Sequence, residues 1–205
     1  MPRVSEAHLA ARREQIIEAA TRCFLRNGFH QTSMQDVIRE AGLSVGAFYR
    51  YFSSKAELIR AIAEEKVGSI VATLDVLLER EPVPSLAEIF DELLEQVDIN
   101  LTEGPVRIAV QVWGEAAHDA SFAELVQGIY LRIRDTAVAL AERLRSAGQL
   151  APGADPAAVG AVLVGLIQGY IIQQVLLARV DRRTYLTGIQ ALIDRYGARD
   201  AHEAS

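Results

Sequence analysis

The stretch from residue 32 to residue 55 constrains this chain most, because it encodes two short helices separated by a tight turn. It reads TSMQDVIREAGLSVGAFYRYFSSK. Ser33 is placed to cap the first helix, and Asp36, three positions later, completes the pattern of a capping box. Gly42 is expected to end this helix, because glycine accepts the left-handed backbone geometry of a helix terminus. A second capping serine follows only two residues later.

The second short helix is predicted to be capped by Ser44 and to cover Val45–Tyr51. Two short helices joined by a tight, glycine-containing turn form the helix-turn-helix pattern, whose second helix enters the major groove of DNA. A third helix is predicted to follow, with a capping box formed by Ser54 and Glu57. The alternative is a helical hairpin that only packs, because matches to this pattern also arise by chance.

The segment GLSVGAFYRYFSSKAEL, at residues 42–58, resembles the DNA-binding signature of the TetR (tetracycline repressor) family. The shared features are the glycine turn, the small residues after it, the aromatic run FYRYF and a lysine followed closely by Glu-Leu. The likeness in sequence covers about the first third of the chain, and beyond it only the helical layout and a few features agree. The resemblance implies an N-terminal helix-turn-helix unit followed by a helical domain that binds an effector and forms a dimer.

By this resemblance, the candidate DNA interface contains two groups of residues. Phosphate-contacting positions are matched by Ser33, Tyr49, Tyr51 and Lys55, and base-facing positions by Gln35, Val45, Gly46 and Ala47. The candidate interface also includes Thr32 and Ser44. Glutamine can pair with adenine through two hydrogen bonds, and small apolar side chains can touch the thymine methyl group. Ala47 lacks the hydroxyl of the threonine that is frequent at this position in the family. We therefore expect few direct contacts to bases and a contribution of DNA shape to specificity.

The charge distribution agrees with a DNA-binding N-terminal part. The chain has 205 residues and a net charge of −6, which by itself is unusual for a protein that binds DNA. Residues 1–55 nevertheless hold eight Lys or Arg and five Asp or Glu, so their net charge is +3 and the remainder is acidic. The local patch, rather than the total charge, governs attraction to phosphates.

The rest of the chain reads as a series of amphipathic helices. Apolar residues recur at helical spacing, every proline lies outside a predicted helix interior, and no stretch alternates like a strand. We therefore predict an all-α fold with about nine helices, the last ending near Tyr196. Later helices are expected to be capped by Ser85 with Glu88, by Ser121 with Glu124, by Asp155 and by Asp181. We divide the chain into a DNA-binding domain at 1–55, continuing into a linking helix at 54–78, and a ligand-binding and dimerisation domain at 56–205.

The segment Ala157–Ala178 contains 22 residues and no charge. It exceeds the roughly 18 residues that make an apolar segment a candidate for spanning a membrane, but three glutamines and three glycines argue against that interpretation. A helix that is apolar all round is otherwise buried on both sides, so we predict a homodimer in which the last two helices of each chain form a four-helix bundle. The predicted dimerisation residues are Ala161, Gly165, Gly169, Ile172, Leu186, Ile189, Leu192 and Ile193.

Isolated polar or amphipathic residues border the apolar stripes of the middle helices. Pockets for small ligands are mostly apolar with a few polar anchors. Because the resemblance implies an effector in this region, the candidate effector-binding residues are Gln96, Asn100, Gln111, Trp113, Tyr130 and Gln168. The alternative for each is a place at the surface or a hydrogen bond within the core. No cluster of charges marks a ligand, and we expect a largely apolar, neutral one.

Catalytic and metal-binding functions find little support in the sequence. The four histidines are scattered without metal-ligand spacing, and no glycine-rich loop for phosphate is present. Cys23 is the only cysteine and falls on an apolar stripe, so we expect it to be buried. We therefore expect no enzymatic activity, no catalytic residues, no cofactor and no metal. The absence of an apolar N-terminal signal indicates the cytoplasm.

These features together predict a ligand-responsive transcriptional regulator. Its most usual form is a repressor that binds a pseudopalindromic operator as a homodimer and is released by a small-molecule effector. Two-fold symmetry would place the half-sites about one turn of DNA apart, roughly 34–36 Å. The alternatives are a transcriptional activator of the same fold, or a helical small-molecule-binding dimer without sequence-specific DNA binding. Tyr49, Tyr51 and Lys55 argue against the latter, because a ligand-binding dimer need not keep them.

Overall fold

The computed structural model describes residues 6–177 and 180–203, and within these ranges it contains α-helices and no strand. This confirms the predicted all-α class. The helices, in chain order, are α1 (Glu6–Asn27), α2 (Met34–Ala41), α3 (Val45–Phe48), α4 (Lys55–Glu79), α5 (Leu86–Glu103), α6 (Pro105–Ala116), α7 (Ala120–Ser146), α8 (Pro156–Leu177) and α9 (Arg182–Glu203). The last helix runs past the predicted end at Tyr196.

The boundaries of α2 follow from its caps. The Ser33 hydroxyl accepts a hydrogen bond from the Asp36 N–H, and the Asp36 carboxylate accepts one from the Ser33 N–H, so the predicted capping box is present. Gly42 ends the helix in the left-handed region, with φ of 65°. These local hydrogen bonds satisfy backbone groups that a short helix would otherwise leave unpaired.

The next two helix starts depend on serines, with one difference from the prediction. Ser44 accepts a hydrogen bond from the Ala47 N–H and caps α3, which ends at Phe48 rather than at the predicted Tyr51. Ser54 accepts a hydrogen bond from the Glu57 N–H. The Glu57 carboxylate, however, accepts from the N–H and hydroxyl of Ser53, so the predicted reciprocal capping box at α4 is not formed.

Among the later helices, the predicted start of α7 was wrong. Asp119 caps this helix, because its carboxylate accepts hydrogen bonds from the N–H groups of Ser121 and Phe122. A carboxylate can accept several such bonds at once, so an aspartate two residues earlier in the chain takes the place of the predicted serine cap. The capping box at α5 and the caps of α8 and α9 are present as predicted, formed by Ser85 with Glu88, by Asp155 and by Asp181.

The chain forms two compact units, each built from two separate stretches. The first unit comprises Met1–Lys66 and Glu103–Val126, and the second comprises Val67–Thr102 and Gln127–Ser205. Helix α6 therefore belongs to the same unit as the helix-turn-helix pattern. The functional boundary after residue 55 stays a prediction.

The core of the first unit includes the buried residues at the contact between α1 and α2. Burying a large apolar side chain completely contributes about 1.5–3 kcal/mol, so this small cluster is enough to fix two helices of eight and four residues. Its fully or nearly fully buried members include Ile16, Ile17, Phe24, Val37, Ile38, Phe48 and Phe52.

The second unit has two apolar clusters of its own. One contains Leu74, Leu77, Ile89, Leu140 and Leu144, and the other contains Phe90, Leu163 and Ile189. Gly160 brings α8 close to α7, because a Cβ at this position would lie 2.9 Å from the Val138 Cγ2 atom and 3.0 Å from the Val138 backbone nitrogen. The absence of a side chain there therefore sets the packing distance between the two helices.

Candidate functional site

Most of the predicted DNA-contacting residues lie on the accessible side of α2, α3 and the turn after them. Exposed members are Ser33, Gln35, Ser44, Val45, Gly46 and Tyr49, and half-buried members are Ala47, Tyr51 and Lys55. Phe48 and Phe52 point the other way and are buried. A buried aromatic anchor on each side of Tyr49 fixes the orientation of α3 and leaves its small residues uncovered.

Thr32 does not belong with these exposed residues. It is 1% exposed, and its hydroxyl donates hydrogen bonds to the backbone oxygens of Gly28, at 2.8 Å, and Cys23, at 3.2 Å. Because the side chain is used to hold the loop between α1 and α2, we remove Thr32 from the candidate DNA interface. Its neighbour Ser33 remains exposed.

Lys55 is held against an aromatic ring. Its Nζ atom lies 4.2 Å from the centroid of the Phe29 ring, which is a cation–π contact. Partial burial lowers the pKa of Lys55, while the nearby carboxylate of Glu115 raises it.

The loop between α1 and α2 is attached to α6 and α7 within the first unit. The Phe29 N–H donates a hydrogen bond to Gln111 Oε1 at 2.9 Å. His30 Nε2 lies 2.6 Å from Glu115 Oε1. The rings of Phe29 and Phe122 meet edge to face, with centroids 5.5 Å apart. These contacts fix the segment that leads directly into the helix-turn-helix.

Cys23 is fully buried, as predicted. Burial is the main cause that raises the pKa of its thiol. Its sulfur lies 3.8 Å from the backbone oxygen of Asp36, so the thiol helps to join α1 to α2. Over the residues that the structure describes, no group of three or more His, Cys, Asp or Glu could hold a metal ion.

The six candidate effector-binding residues are divided between the two units. Gln111 and Trp113 belong to the first unit, and the amide of Gln111 holds the backbone of Phe29. Asn100 donates to the backbone oxygen of Gln96, at 2.7 Å, within α5. The remaining two, Tyr130 and Gln168, are half-buried in the second unit.

A solvent-open groove of about 670 Å³ in the second unit has a different lining. Near its buried side, the Tyr170 hydroxyl donates a hydrogen bond to Asp98 Oδ1 at 2.7 Å. Burial and this carboxylate raise the pKa of Tyr170 to about 12, so the phenol keeps its proton at physiological pH. The lining residues are Glu95, Asp98, Ile99, Leu101, Thr102, Tyr170, Gln174, Val180, Asp181 and Arg182.

One local signal in the sequence points to this groove, although the predicted effector-binding residues do not include it. Tyr170 and Gln174 are four residues apart and therefore share one face of the otherwise apolar helix α8. Gln174 Nε2 lies 2.6 Å from the Tyr170 hydroxyl oxygen, so the two side chains do meet. The partner carboxylate of Asp98, on α5, has no such local signal.

The apolar surface of α8 is partly buried and partly exposed. Its exposed residues include Ala161, Val162, Gly165, Leu176 and Leu177. Of the other predicted dimerisation residues, Leu192 is exposed, and Gly169, Ile172 and Leu186 are half-buried. Ile189 is buried in its own protomer against Phe90 and Leu163, so it is a core residue and not part of a free face. The side chain of Ile193 lies outside the described residues, as does the predicted helix end at Ala178.

Helix α8 also has the length and composition of a membrane span, with a mean hydropathy of 1.7 over a stretch that is 22% buried. One such helix is weak evidence for a membrane protein, because core helices of soluble proteins share this length and composition.

Two family models match the chain. The model described as "Bacterial regulatory proteins, tetR family" matches residues 16–62. The model described as "BetI-type transcriptional repressor, C-terminal" matches residues 82–198, which is more than half of the chain. The first match contains the whole helix-turn-helix pattern, and the second contains α5 to α8 and part of α9.

Individual proteins agree with these matches. The uncharacterized HTH-type transcriptional regulator YfiR of Bacillus subtilis is 39% identical over 108 residues, which are 52% of this chain and 53% of that protein, so the match spans about half of that relative. The HTH-type transcriptional regulator UidR of Escherichia coli K12 is 27% identical over 189 residues, covering 88% and 90% of the two chains. The structure of a SmeT–triclosan complex superimposes with a TM-score of 0.75 at 24% identity, covering 89% of this chain and 91% of that one. At this identity, the likeness to SmeT shows the fold alone.

Proposed function

Because the chain belongs to the TetR family of bacterial regulatory proteins and is a helix-turn-helix transcriptional regulator, we propose that it is a cytoplasmic repressor that binds a pseudopalindromic operator as a homodimer. The observation that carries this proposal is the pair of serine-capped helices α2 and α3, joined at Gly42, which leaves Val45 and Gly46 of α3 exposed. A short helix that exposes small side chains on one side and is anchored by a buried aromatic ring on the other is suited to enter the major groove.

The proposed DNA contacts follow from exposure and chemistry. The hydroxyls of Tyr49 and Tyr51 and the ammonium of Lys55 would hold phosphates, which fix the register on the duplex. The hydroxyl of Ser33 would join them after releasing the Asp36 carboxylate, to which it donates. Gln35 would read a base edge, and the small side chains of α3 would contact the bases at short range. Few of these groups discriminate between bases, so DNA shape would contribute to specificity.

The proposed homodimer is supported by the apolar surface that one protomer leaves open. Val162 is 59% exposed, Leu176 is 72% exposed and Leu192 is 63% exposed. Large apolar patches on a soluble protein mark contact surfaces, and a two-fold interface uses the same patch on both chains. A dimer formed through α8 and α9 would present two α3 helices to the two half-sites of an operator.

Release by a small-molecule effector is the remaining part of the proposed function. SmeT, a protein of the same fold, is found in complex with triclosan. An effector of the present chain would shift the equilibrium between DNA-bound and free dimers only by its different affinity for the two states. The expected structural consequence is a change in the separation of the two α3 helices.

Selection of bound DNA from a random pool, with the purified full chain at moderate salt, tests the DNA-binding part. We expect enrichment of a two-fold symmetric motif with half-sites about one turn apart. The same selection is repeated with cell extract added, because a protein that requires its ligand to bind DNA would be enriched only there. Absence of an enriched motif under both conditions would contradict the proposed function.

A further inference from the structure

The groove in the second unit has an excess of negative charge near its surface. Three carboxylates line it, those of Glu95, Asp98 and Asp181, together with one guanidinium, that of Arg182. This guanidinium is already paired, because its Nε lies 3.4 Å from Asp91 Oδ1 and its Nη1 lies 3.6 Å from Glu95 Oε1. The negative charge of the groove is therefore only partly compensated within the protein.

A directed chain of hydrogen bonds ends at the carboxylate of Asp98. Gln174 Nε2 donates to the backbone oxygen of Val180 and to the Tyr170 hydroxyl, both at 2.6 Å. The Tyr170 hydroxyl in turn donates to Asp98 Oδ1 at 2.7 Å. Because Tyr170 is fully buried and keeps its proton, this donor holds the carboxylate in one position.

Asp98 retains the capacity to accept further hydrogen bonds. A carboxylate offers about four acceptor positions, and the tyrosine occupies one of them. A second carboxylate, Asp181, accepts from the N–H and hydroxyl of Thr184, and these hydrogen bonds lower the pKa of Asp181. Asp181 is therefore ionised at neutral pH and adds to the negative potential beside Asp98.

The rest of the lining suits a hydrocarbon group. Ile99, Leu101 and Val180 contribute apolar side chains, and Ile99 is 45% exposed. The volume of about 670 Å³ lies within the range of roughly 300–1,000 Å³ that is usual for small-molecule sites. The groove thus combines a positioned carboxylate with an apolar wall, the two elements that an amphipathic cation requires.

We propose that this groove binds an organic cation, namely an alkylammonium whose ammonium group donates hydrogen bonds to Asp98 and whose hydrocarbon part lies against Ile99 and Val180. A cation of this kind differs from the neutral ligand expected from the sequence, because Asp98 and Tyr170 are distant in sequence and their meeting was not predicted. Binding itself requires only the second unit. An effect of binding on DNA affinity rests, in addition, on the proposed function.

Three probes of equal length and different charge test this site. The purified full chain is titrated with hexylammonium, hexan-1-ol and hexanoate, and binding is followed by calorimetry and by ligand-observed nuclear magnetic resonance. We expect saturable binding of hexylammonium at one site per protomer, at least about tenfold tighter than binding of either analogue, since hydrogen bonds to charged groups are the strong ones. Equal affinity for the three probes, or no binding of hexylammonium, would overturn the assignment.

Variants at one position separate the site from general electrostatics. Asp98→Asn keeps an oxygen that can accept from Tyr170 but removes the charge, and we expect it to weaken hexylammonium binding by about tenfold. Asp98→Glu keeps the charge and is expected to retain most of the affinity. Asp75→Asn makes the same change of net charge at an exposed position of α4 that is not part of the groove lining, and is expected to leave the affinity within about twofold. Unchanged affinity in Asp98→Asn would overturn the role of this carboxylate.

Thermal unfolding of each variant shows whether the fold is intact. DNA binding of the same preparations is measured separately, so that the two proposals fail independently. Binding of hexylammonium without enrichment of any DNA motif would contradict the proposed function and leave the groove assignment standing. Normal DNA binding with no binding of hexylammonium would do the reverse.

Discussion

At the scale of single residues, Lys55 connects DNA affinity to ionic strength. Its ammonium lies over the Phe29 ring, 4.2 Å from the centroid, and is proposed to contact a phosphate of DNA. We expect Lys55→Ala to weaken binding to all sequences by similar factors. The slope of log affinity against log salt concentration should become shallower by about two units for the dimer, because one phosphate is no longer neutralised by the protein at each of the two half-sites.

Fluorescence anisotropy at several salt concentrations measures this slope. Arg132→Ala is a suitable control, because it removes one positive charge from an exposed position of the second unit. It should leave the slope unchanged. If Lys55→Ala also leaves the slope unchanged, Lys55 does not contact phosphate.

Asp36 gives a prediction about acid stability. Hydrogen bonds from the hydroxyl and N–H of Ser33 lower the pKa of Asp36 below its ordinary value of 3.8. A carboxylate whose pKa is lower in the folded state stabilises the fold above its unfolded pKa, and this contribution is lost as the pH falls from about 4 through the lowered folded pKa. We therefore expect Asp36→Asn to lower the midpoint of urea denaturation at neutral pH. Between neutral pH and pH 3, this midpoint should fall less in the variant than in the wild-type chain.

Asp75→Asn is the comparison for this measurement, because Asp75 lies exposed on α4. It should have little effect at either pH. If the wild-type chain and the Asp36→Asn variant lose the same stability between pH 7 and pH 3, the capping box does not contribute to acid sensitivity.

At the scale of elements, the attachment of the loop between α1 and α2 to α6 has a consequence for DNA binding. Gln111→Leu removes the oxygen that accepts from the Phe29 N–H, and this partly buried donor then loses its partner, which costs about 1 kcal/mol. We expect lower operator affinity without a change in the salt slope, because the groups that hold phosphate are all still present. Gln111→Glu keeps the accepting oxygen and should restore most of the affinity.

The same anisotropy titration measures both variants. Thermal unfolding shows whether the first unit remains folded. A shallower salt slope in Gln111→Leu would indicate that Gln111 itself touches phosphate, and unchanged affinity would show that the loop is held adequately by its other partners.

The helix starts show why part of this structure could be predicted from the sequence. Ser33 and Asp36 are three residues apart, so both partners of the capping box are visible in one short window. The same is true of Ser85 with Glu88. The start of α7 was missed because two acceptors lie within a few residues, and the carboxylate of Asp119 accepts where the hydroxyl of Ser121 was expected to.

Pairings between distant parts of the chain gave no comparable signal. Gln111 and Phe29 are 82 positions apart, and Asp98 and Tyr170 are 72 positions apart. Helical periodicity identifies which side of a helix is apolar, but it does not say which polar residue on a neighbouring helix will be opposite. For this reason the sequence could not indicate which of the candidate effector-binding residues share one surface.

At the scale of the whole molecule, the proposed dimer determines whether two copies of α3 can bind the two half-sites of one operator. Val162→Arg introduces a charge on the exposed apolar surface of α8, where the side chain is 59% exposed. Burying an unpaired charge in an apolar interface costs several kcal/mol, so we expect a monomer at micromolar concentration and a large loss of operator affinity. Sedimentation velocity measures the first effect and anisotropy the second.

Val76→Arg is a matched control, because Val76 is also 59% exposed but lies on α4. This variant should remain a dimer. A dimeric Val162→Arg variant would contradict the proposed interface, and dissociation of both variants would place the dimer interface elsewhere.

The unit that contains α3 is assembled from two stretches of chain. This limits which segments can be exchanged between related regulators by recombination. A recombination event with one crossover after residue 66 would transfer α3 but not Gln111, Glu115 and Phe122. These three residues contact the loop between α1 and α2. A chimera that keeps the native loop attachments needs both stretches from the same parent. Substitutions within α2 and α3, by contrast, would alter the proposed DNA contacts and leave these attachments in place.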